Sequence, residues 1–193
     1  MLRNRRLRGF ESLETKRLMT CDVAFDGESL NVSCDDAGDF IFLNNVGGRI
    51  LYGGFQDIGS SENLTDVKIT TRGGGDAVIL QGFDIGGDLK IETGDGNDVV
   101  TLHDVSVAGD AKIDTGNGSD AVFMGGSFTG PVDVDGDLKI DLGAGNDLAF
   151  FQASTSVGGD AKVDGGADVD QVFSSFQLTA DGEIVFKDVE VLI

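Results

Sequence analysis

Apolar and polar residues alternate with a period of two in short segments throughout most of the chain. In residues 88–92, Asp-Leu-Lys-Ile-Glu, every second side chain is apolar, which is typical of a β-strand with one buried face. The alternation resumes at Val100 and Leu102 and again at Val105 and Val107, after corners rich in Gly, Asp and Asn. Each unit therefore predicts three very short strands, and no segment supports a helical period beyond about one turn.

The same unit recurs along the chain. It opens with Gly-Asp-apolar-Lys-apolar, degenerate in the last copy, at glycines spaced 22, 27, 23 and 23 residues apart: Gly87, Gly109, Gly136, Gly159 and Gly182. An aspartate stands seven residues after the inward-facing apolar position of each unit, as from Ile91 to Asp98, and Val32 and Asp39 keep this offset near the start. A fixed offset beside variable insertions indicates stacked copies whose strand and first corner superpose.

Parallel stacking of such units buries a continuous stripe of Leu, Ile, Val and Phe, with strands about 4.8 Å apart. The sequence therefore predicts an all-β fold, a right-handed parallel β-helix (β-solenoid) of about six or seven coils with three short strands per coil. We expect residues 1–20 to be a basic, disordered targeting or processing segment, 21–60 an N-terminal cap with an eroded first coil, and 61–193 the solenoid repeats. Solenoid ends expose strand edges, so the apolar end at residues 191–193 favours end-to-end association or a cell-surface partner.

Five lysines occupy one position of the unit and would form a like-charge column in a stacked fold: Lys68, Lys90, Lys112, Lys139 and Lys162. Acidic positions flank that column on both sides: Asp88, Asp110, Asp137 and Asp160, then Glu92, Asp114, Asp141 and Asp164. Opposite charges at neighbouring positions screen the lysines. We interpret the lysines as a solvated structural face rather than as catalytic amines.

The net charge of −20 is distributed unevenly. Residues 1–20 carry six Lys/Arg against two Asp/Glu, and the remainder carries eight against 32, so +4 precedes −24. An acidic body repels phosphate backbones and anionic lipids, which disfavours nucleic-acid and membrane-surface binding and makes divalent cations natural partners. No uncharged apolar run reaches about 18 residues, so we expect no membrane insertion.

Candidate catalytic chemistry is sparse. Cys21 and Cys34, the only cysteines, permit one disulfide, although two ordinary small side chains are an equal alternative. His103, the only histidine, lies beside Asp104 with no repeated nucleophile near it, so no acid–base role is predicted. Polysaccharide-degrading β-helices are the main enzyme alternative, but they need a charged groove and aromatic platforms, and this chain has no Trp and one Tyr. We expect the phenylalanines in the core and end caps, for example Phe40, Phe42, Phe123, Phe150, Phe151 and Phe173.

The corner after the first strand of the unit carries the clearest motif. It reads Thr-Gly-Asp-Gly-Asn-Asp at residues 93–98, Thr-Gly-Asn-Gly-Ser-Asp at 115–120 and Leu-Gly-Ala-Gly-Asn-Asp at 142–147. This resembles the Gly-Gly-x-Gly-x-Asp-x-apolar-x nonapeptide of the repeats-in-toxin family, whose parallel β-roll binds calcium between successive turns. The toxin repeat runs nine residues after nine, whereas this chain has one such corner per coil.

The resemblance implies a calcium site in these corners. Its ligands would be Asp76, Asp98, Asp120, Asp147 and Asp170, assisted by carbonyls near Gly94, Gly96, Gly116 and Gly118. Carboxylate and carbonyl oxygens are the ligands that calcium prefers, and stacked carboxylates without a cation would repel one another. The alternative is that each aspartate accepts hydrogen bonds from the backbone of its own corner and stabilises a tight turn.

The N-terminal segment has a second resemblance. Arg5-Arg6, then Phe-Glu-Ser-Leu-Glu at residues 10–14 and Lys16-Arg17-Leu18, is similar to the N-terminal motif of planctomycete extracellular proteins, which implies export. The alternative is a short amphipathic or disordered basic tail. The hypothesis from sequence is a non-catalytic extracellular or cell-envelope structural or adhesive module stabilised by calcium, with a polysaccharide-binding or polysaccharide-degrading β-helix as the alternative.

Overall fold

The computed structural model describes residues 21–126, 130–152, 154–174 and 177–192, and these residues form strands and corners without a helix. The N-terminal segment 1–20 and the terminal Ile193, both subjects of predictions, lie outside the described residues. The strands, in chain order, are β1 (Asp22–Phe25), β2 (Ser29–Ser33), β3 (Phe40–Val46), β4 (Arg49–Tyr52), β5 (Gln56–Ser60), β6 (Asp66–Thr70), β7 (Ala77–Ile85), β8 (Leu89–Glu92), β9 (Val99–Val107), β10 (Ala111–Asp114), β11 (Ala121–Met124), β12 (Val132–Val134), β13 (Leu138–Asp141), β14 (Leu148–Phe151), β15 (Thr155–Val157), β16 (Ala161–Asp164), β17 (Gln171–Phe173), β18 (Leu178–Ala180), β19 (Ile184–Lys187) and β20 (Val191–Leu192).

These strands wind into a three-sided parallel solenoid, which confirms the predicted fold class. The first face stacks β2, β6, β8, β10, β13, β16 and β19 in parallel. The second face stacks β3, β7, β9, β11, β14, β17 and β20, also in parallel. The third face consists of β12, β15, β18 and the C-terminal parts of the long strands β7 and β9.

The coil count differs from the prediction. The third face has five strand segments, from β7, β9, β12, β15 and β18, so five coils have all three sides rather than six or seven. The turn that contains β2 and β3 lacks the third side because the chain continues from β3 into the antiparallel strands β4 and β5. The period in the sequence marks every first-face strand, but it does not reveal which coils are complete.

Strand register follows the sequence repeat. On the first face Lys68 pairs with Lys90, Lys90 with Lys112, Lys112 with Lys139, and Lys139 with Lys162. The predicted lysine column therefore forms, and the inward position next to it forms an aliphatic column of Ile69, Ile91, Ile113, Ile140 and Val163, each 0% exposed. A slip of one residue would exchange these two columns, so burial of the aliphatic side chains fixes the register.

The core lies between the three faces and extends along the solenoid. The second face contributes Leu43, Leu80, Leu102, Met124 and Phe151, none more than 1% exposed. Fully burying one such side chain contributes about 1.5–3 kcal/mol. Because every coil adds the same few apolar residues, coil-to-coil packing accumulates along the axis and no single layer dominates the core.

The start of the described chain covers the first coil. Strand β1 pairs antiparallel with β2, and a disulfide joins Cys21 to Cys34 with a Cα–Cα separation of 4.0 Å. On the second face β4 and β5 continue the sheet as an antiparallel hairpin. Antiparallel strands and a disulfide thus occupy the place where a parallel edge would otherwise lie open.

The predicted location of the phenylalanines is right for Phe151 and wrong for others. Phe151 is 1% exposed in the core, whereas Phe40 is 51% exposed. Phe123, Phe150 and Phe173 point outward from the second face, with ring centroids 6.4 and 5.4 Å apart along the column. They occupy the alternate, outward positions of their strands, so strand alternation and not residue type decides their location.

Among the described residues, no helix has the length and apolarity that crossing a membrane would require.

Candidate metal centre

Six aspartates form one buried column at the corner between the first and second faces. The column contains all five predicted ligands, Asp76, Asp98, Asp120, Asp147 and Asp170, and also Asp39 in the first turn. Each aspartate directly precedes a strand of the second face, and each is between 0 and 3% exposed. The seven-residue offset in the sequence therefore corresponds to the stretch of chain that runs from a buried first-face position around the corner to the aspartate.

Hydrogen bonds join the aspartates of successive coils. The backbone N–H of Asp39 donates to Oδ1 of Asp76 at 2.7 Å, and that of Asp76 donates to Oδ1 of Asp98 at 2.8 Å. The pattern repeats from Asp98 to Asp120, from Asp120 to Asp147 and from Asp147 to Asp170, at 2.8, 2.8 and 3.0 Å. The predicted turn capping had each carboxylate accept from its own corner, whereas these bonds connect one coil to the next.

The second oxygen of each carboxylate has no hydrogen-bond partner. Oδ2 of the five later aspartates is buried without a donor, and both carboxylate oxygens of Asp39 are too. Buried threonine hydroxyls lie in the same corners, but Thr93 donates to the carbonyl of Thr115 at 3.0 Å and Thr115 to that of Leu142 at 2.8 Å. An unpaired buried carboxylate oxygen carries a large desolvation cost, and this cost recurs in every coil of the column.

Burial disfavours the charged form of five carboxyl groups in the column. Burial, as the largest cause, and the neighbouring charge of Asp98 together raise the pKa of Asp120 to about 6, against the opposing hydrogen bond from the N–H of Asp98. Burial and repulsion from Asp120 and Asp170 likewise raise the pKa of Asp147 to about 6, against the hydrogen bond from the N–H of Asp120. The pKa values of Asp39, Asp76 and Asp170 are also raised, again with burial as the largest cause.

Close stacking of the coils explains the glycines of the motif. Gly96 has φ 153° and Gly118 has φ 149°. A Cβ at Gly118 would overlap the carbonyl oxygen of Gly96, and a Cβ at Gly96 would overlap that of Gly74. The carbonyls of Gly94 and Gly116, predicted to assist a cation, accept inter-coil hydrogen bonds at 2.9 and 2.8 Å. Glycine is thus required here by the approach of neighbouring backbones.

A second aspartate column, which the sequence reasoning did not identify as a hydrogen-bonding element, lies at the corner before the first face. Oδ1 of Asp88 accepts the N–H of Asp110 at 2.9 Å, and Oδ1 of Asp110 accepts that of Asp137 at 2.9 Å. The bonds continue to Asp160 and Glu183, both at 2.8 Å. These carboxylates are solvent-exposed and accept from the following coil, whereas the buried column accepts from the preceding one. The aspartate that follows the first glycine of each repeat unit is the sequence feature that could have predicted this exposed column.

The lysine column is screened as predicted, chiefly by the acids two residues later in the same strand. The closest N···O distances are 2.8 Å for Lys90–Glu92, 3.3 Å for Lys112–Asp114, 3.0 Å for Lys139–Asp141 and 2.8 Å for Lys162–Asp164. The lysine side chains are 38–41% exposed, so each pair contributes little to stability individually.

Two other features could bind a ligand: the cysteine pair beside Asp39 and an acidic surface groove. The sulfurs of Cys21 and Cys34 lie near Asp39, but the disulfide removes them as thiolate ligands. A shallow surface groove of about 650 Å³ runs between the β4–β5 hairpin and the third face. Its lining includes four carboxylates and no Lys, Arg or His: Glu62, Asp84, Asp133 and Asp135.

No family model, curated protein or solved structure matches this chain. The resemblances to repeats-in-toxin corners and to the planctomycete N-terminal motif therefore remain sequence-based predictions, and the β-solenoid is the part of them that the fold supports.

Proposed function

We propose that this protein is a non-catalytic structural or adhesive β-solenoid that works outside the cell or in the cell envelope, and that calcium held by the buried aspartate column stabilises it. The observation that carries the calcium proposal is the row of buried, unpartnered Oδ2 atoms. A folded protein at neutral pH must neutralise such a row, either with protons or with cations.

The spacing of the column would let a calcium ion bridge two successive carboxylates, two of the six to eight oxygen ligands that calcium takes. Strands one coil apart are separated by about 4.8 Å, so a point midway between successive Oδ2 atoms lies about 2.4 Å from each. Calcium–oxygen distances are about 2.3–2.6 Å. Six aspartates leave five such intervals, and an ion in an interval would replace carboxylate repulsion with attraction.

Thermal unfolding of the full chain in millimolar calcium and in chelator tests this proposal. Calcium is expected to raise the melting temperature, because a ligand that binds only the folded state stabilises it. Asp120→Asn keeps an oxygen for the N–H of Asp98 but removes a charge from two of the five intervals, so the calcium-dependent rise should shrink. Asp110→Asn is the matched control, since Asp110 accepts the same type of inter-coil bond at an exposed corner. Identical melts of the unchanged chain in calcium and chelator would contradict the calcium proposal.

Two observations support an extracellular or envelope location. The Cys21–Cys34 disulfide is of the kind that persists in oxidising compartments. The arginine-rich start with Phe-Glu-Ser-Leu-Glu resembles an export motif. Expression of the full chain in a planctomycete host, followed by fractionation and mass determination, tests this. Protein recovered outside the cytoplasm is expected, and protein confined to the cytoplasm with free thiols would refute it.

The acidic groove favours one alternative, a polysaccharide-binding or polysaccharide-degrading β-helix. Paired carboxylates can act as acid and base in glycoside hydrolysis, and the groove offers Asp133 and Asp135 beside Glu62 and Asp84. Incubation of the full chain with neutral and acidic polysaccharides, with product analysis, distinguishes the two functions. Products lost in Asp133→Asn would establish the alternative, and no products are expected under our proposal.

A further inference from the structure

Outside the β4–β5 hairpin and the end of β9, the outer surface of the second face carries no charged side chain, although the chain has a net charge of −20. The hairpin carries the Arg49–Asp57 pair, and β9 carries His103 beside the columns described next. Its outward side chains form two main columns along the solenoid axis. One column is Phe40, Ala77, Val99, Ala121, Leu148 and Gln171, and the other is Phe42, Ile79, Thr101, Phe123, Phe150 and Phe173. By contrast, the outer surface of the first face carries the lysine and acid columns, and that of the third face carries Asp84 and Asp133.

In the described part of the chain these side chains are partly or fully exposed. Phe40 is 51% and Val99 37% exposed, and Phe123, Phe150 and Phe173 are partly buried, with their rings next to one another along the column. Contiguous exposed apolar surface of this kind marks interaction sites in soluble proteins. We call this surface, the two columns just defined, the phenylalanine face.

We propose that the phenylalanine face is a self-association surface on which a second copy of this chain packs face to face. Charge is the first argument for a second copy as the occupant. Two bodies of −20 repel, and the two columns of the phenylalanine face let them touch without bringing carboxylates or lysines together, with His103 beside the columns. The contact would be a sheet-on-sheet packing of the kind found in β-sandwiches, about 10 Å apart.

Shape is the second argument. From β7 onward one column holds the rings and the adjacent column holds no aromatic side chain. A two-fold axis parallel to the solenoid axis lays the ring column of each copy against the non-aromatic column of the other. Phe123 of one copy would then face Ala121 of the second copy at the same level, and Phe150 and Phe173 would likewise face Leu148 and Gln171. A surface that fits itself under a two-fold axis is what an isologous dimer requires.

The size of the face sets the expected affinity. Six strands about 4.8 Å apart and about 15 Å long give about 430 Å² per copy, or roughly 900 Å² in total. Stable dimers bury about 1,200 Å² or more, so this dimer should be weak and concentration-dependent. Salt should strengthen it, because at about 1 M ionic strength the Debye length is about 3 Å and the repulsion between the acidic bodies is screened.

Sedimentation velocity of the full chain, from micromolar to near-millimolar concentration and at low and high salt, tests the proposal. A monomer–dimer equilibrium that strengthens with salt is expected. Phe150→Lys should weaken it by roughly tenfold or more, because it buries a charge in the contact, between the rings of Phe123 and Phe173. Val169→Lys, at a corner outside the phenylalanine face and 44% exposed, makes the same change of charge and should leave the equilibrium unchanged.

The orientation has its own test. Phe123→Lys and Ala121→Glu should each be monomeric alone, and an equimolar mixture should form a heterodimer, because the two new charges face each other only under the parallel two-fold axis. Circular dichroism of both variants verifies that they fold. A chain that stays monomeric at all concentrations and salts would overturn the proposal, as would a dimer unaffected by Phe150→Lys. A monomer that binds insoluble polysaccharide through this face would equally overturn it. End-to-end association would survive Phe150→Lys and so is distinguished.

Discussion

Asp120→Asn in the absence of calcium gives the sharpest prediction about the buried column. Burial raises the pKa of Asp120 to about 6 from the ordinary 3.8. At about 1.4 kcal/mol per pKa unit, this difference corresponds to about 3 kcal/mol of folding free energy. A carboxyl group whose pKa is raised in the folded state stabilises the fold most below its unfolded pKa, and this contribution is lost as the pH rises through about 6.

Asparagine preserves the hydrogen bond from the N–H of Asp98, 2.8 Å long in the unchanged chain, but cannot ionise. In chelator at about pH 8 we therefore expect Asp120→Asn to be more stable than the unchanged chain by up to about 3 kcal/mol. That gain corresponds to about 6–12 °C in melting temperature for a domain of this size. At about pH 4 the two proteins should melt within about 1–2 °C of each other, because the aspartate is then protonated in the folded state.

The assay is thermal or urea unfolding followed by circular dichroism, with both proteins in chelator at both pH values. Comparing variant with unchanged chain at each pH cancels the titration of distant groups, while Asp147, whose pKa Asp120 raises, adds to the expected gain in the same direction. Asp110→Asn, in the exposed column, is the control and should change stability little at either pH. Asp120→Asn that destabilises the protein at about pH 8, or by the same amount at both pH values, would refute the argument that this carboxylate is buried at an energetic cost.

Three further changes test how the coils are held together. Gly118→Ala places a Cβ on the carbonyl of the preceding coil and should cost about 3 kcal/mol or more in urea unfolding, whereas Gly75→Ala, whose Cβ would lie 3.4 Å from its nearest neighbour, should cost little. Reducing the Cys21–Cys34 disulfide, which closes a separation of 13 residues, should lower stability by about 3 kcal/mol, and a protein with both cysteines replaced by serine should not respond to reductant. Phe151→Ala in the core should cost about 3–5 kcal/mol, and an unchanged melting temperature would contradict its burial.

Much of the fold follows from the sequence because every coil of a solenoid repeats the same strand and corner positions. The two-residue alternation and the fixed offset from Ile91 to Asp98 predict stacked parallel strands, and the register of β8 on β10 confirms this. The same offset brings the five predicted aspartates into one column together with Asp39. A pattern that recurs in several copies outweighs the irregular residues of any one copy, so the period predicts the fold better than any single segment does.

What the sequence did not predict depends on contacts between coils. The period cannot reveal that the N–H of Asp98 donates to the next aspartate along the chain, because an own-corner bond uses the same residue types. The period also cannot reveal the direction of the hydrogen bonds in the exposed column, where Asp110 accepts from the N–H of Asp137 in the following coil. Phe123 was misassigned for a different reason: its residue type suggested the core, while its place between the inward Val122 and Met124 puts it outside.

The most direct test of the central claim is a crystal structure of the full chain grown with calcium at neutral pH. We predict stacked coils with Oδ1 of each buried aspartate bonded to the N–H of the preceding one, and anomalous density about 2.4 Å from successive Oδ2 atoms. Stacked coils with an empty column would contradict the calcium proposal and leave the carboxyl groups to be neutralised by protons. A different strand register, with Asp98 or Asp120 facing solvent, would contradict the account of the site as a whole.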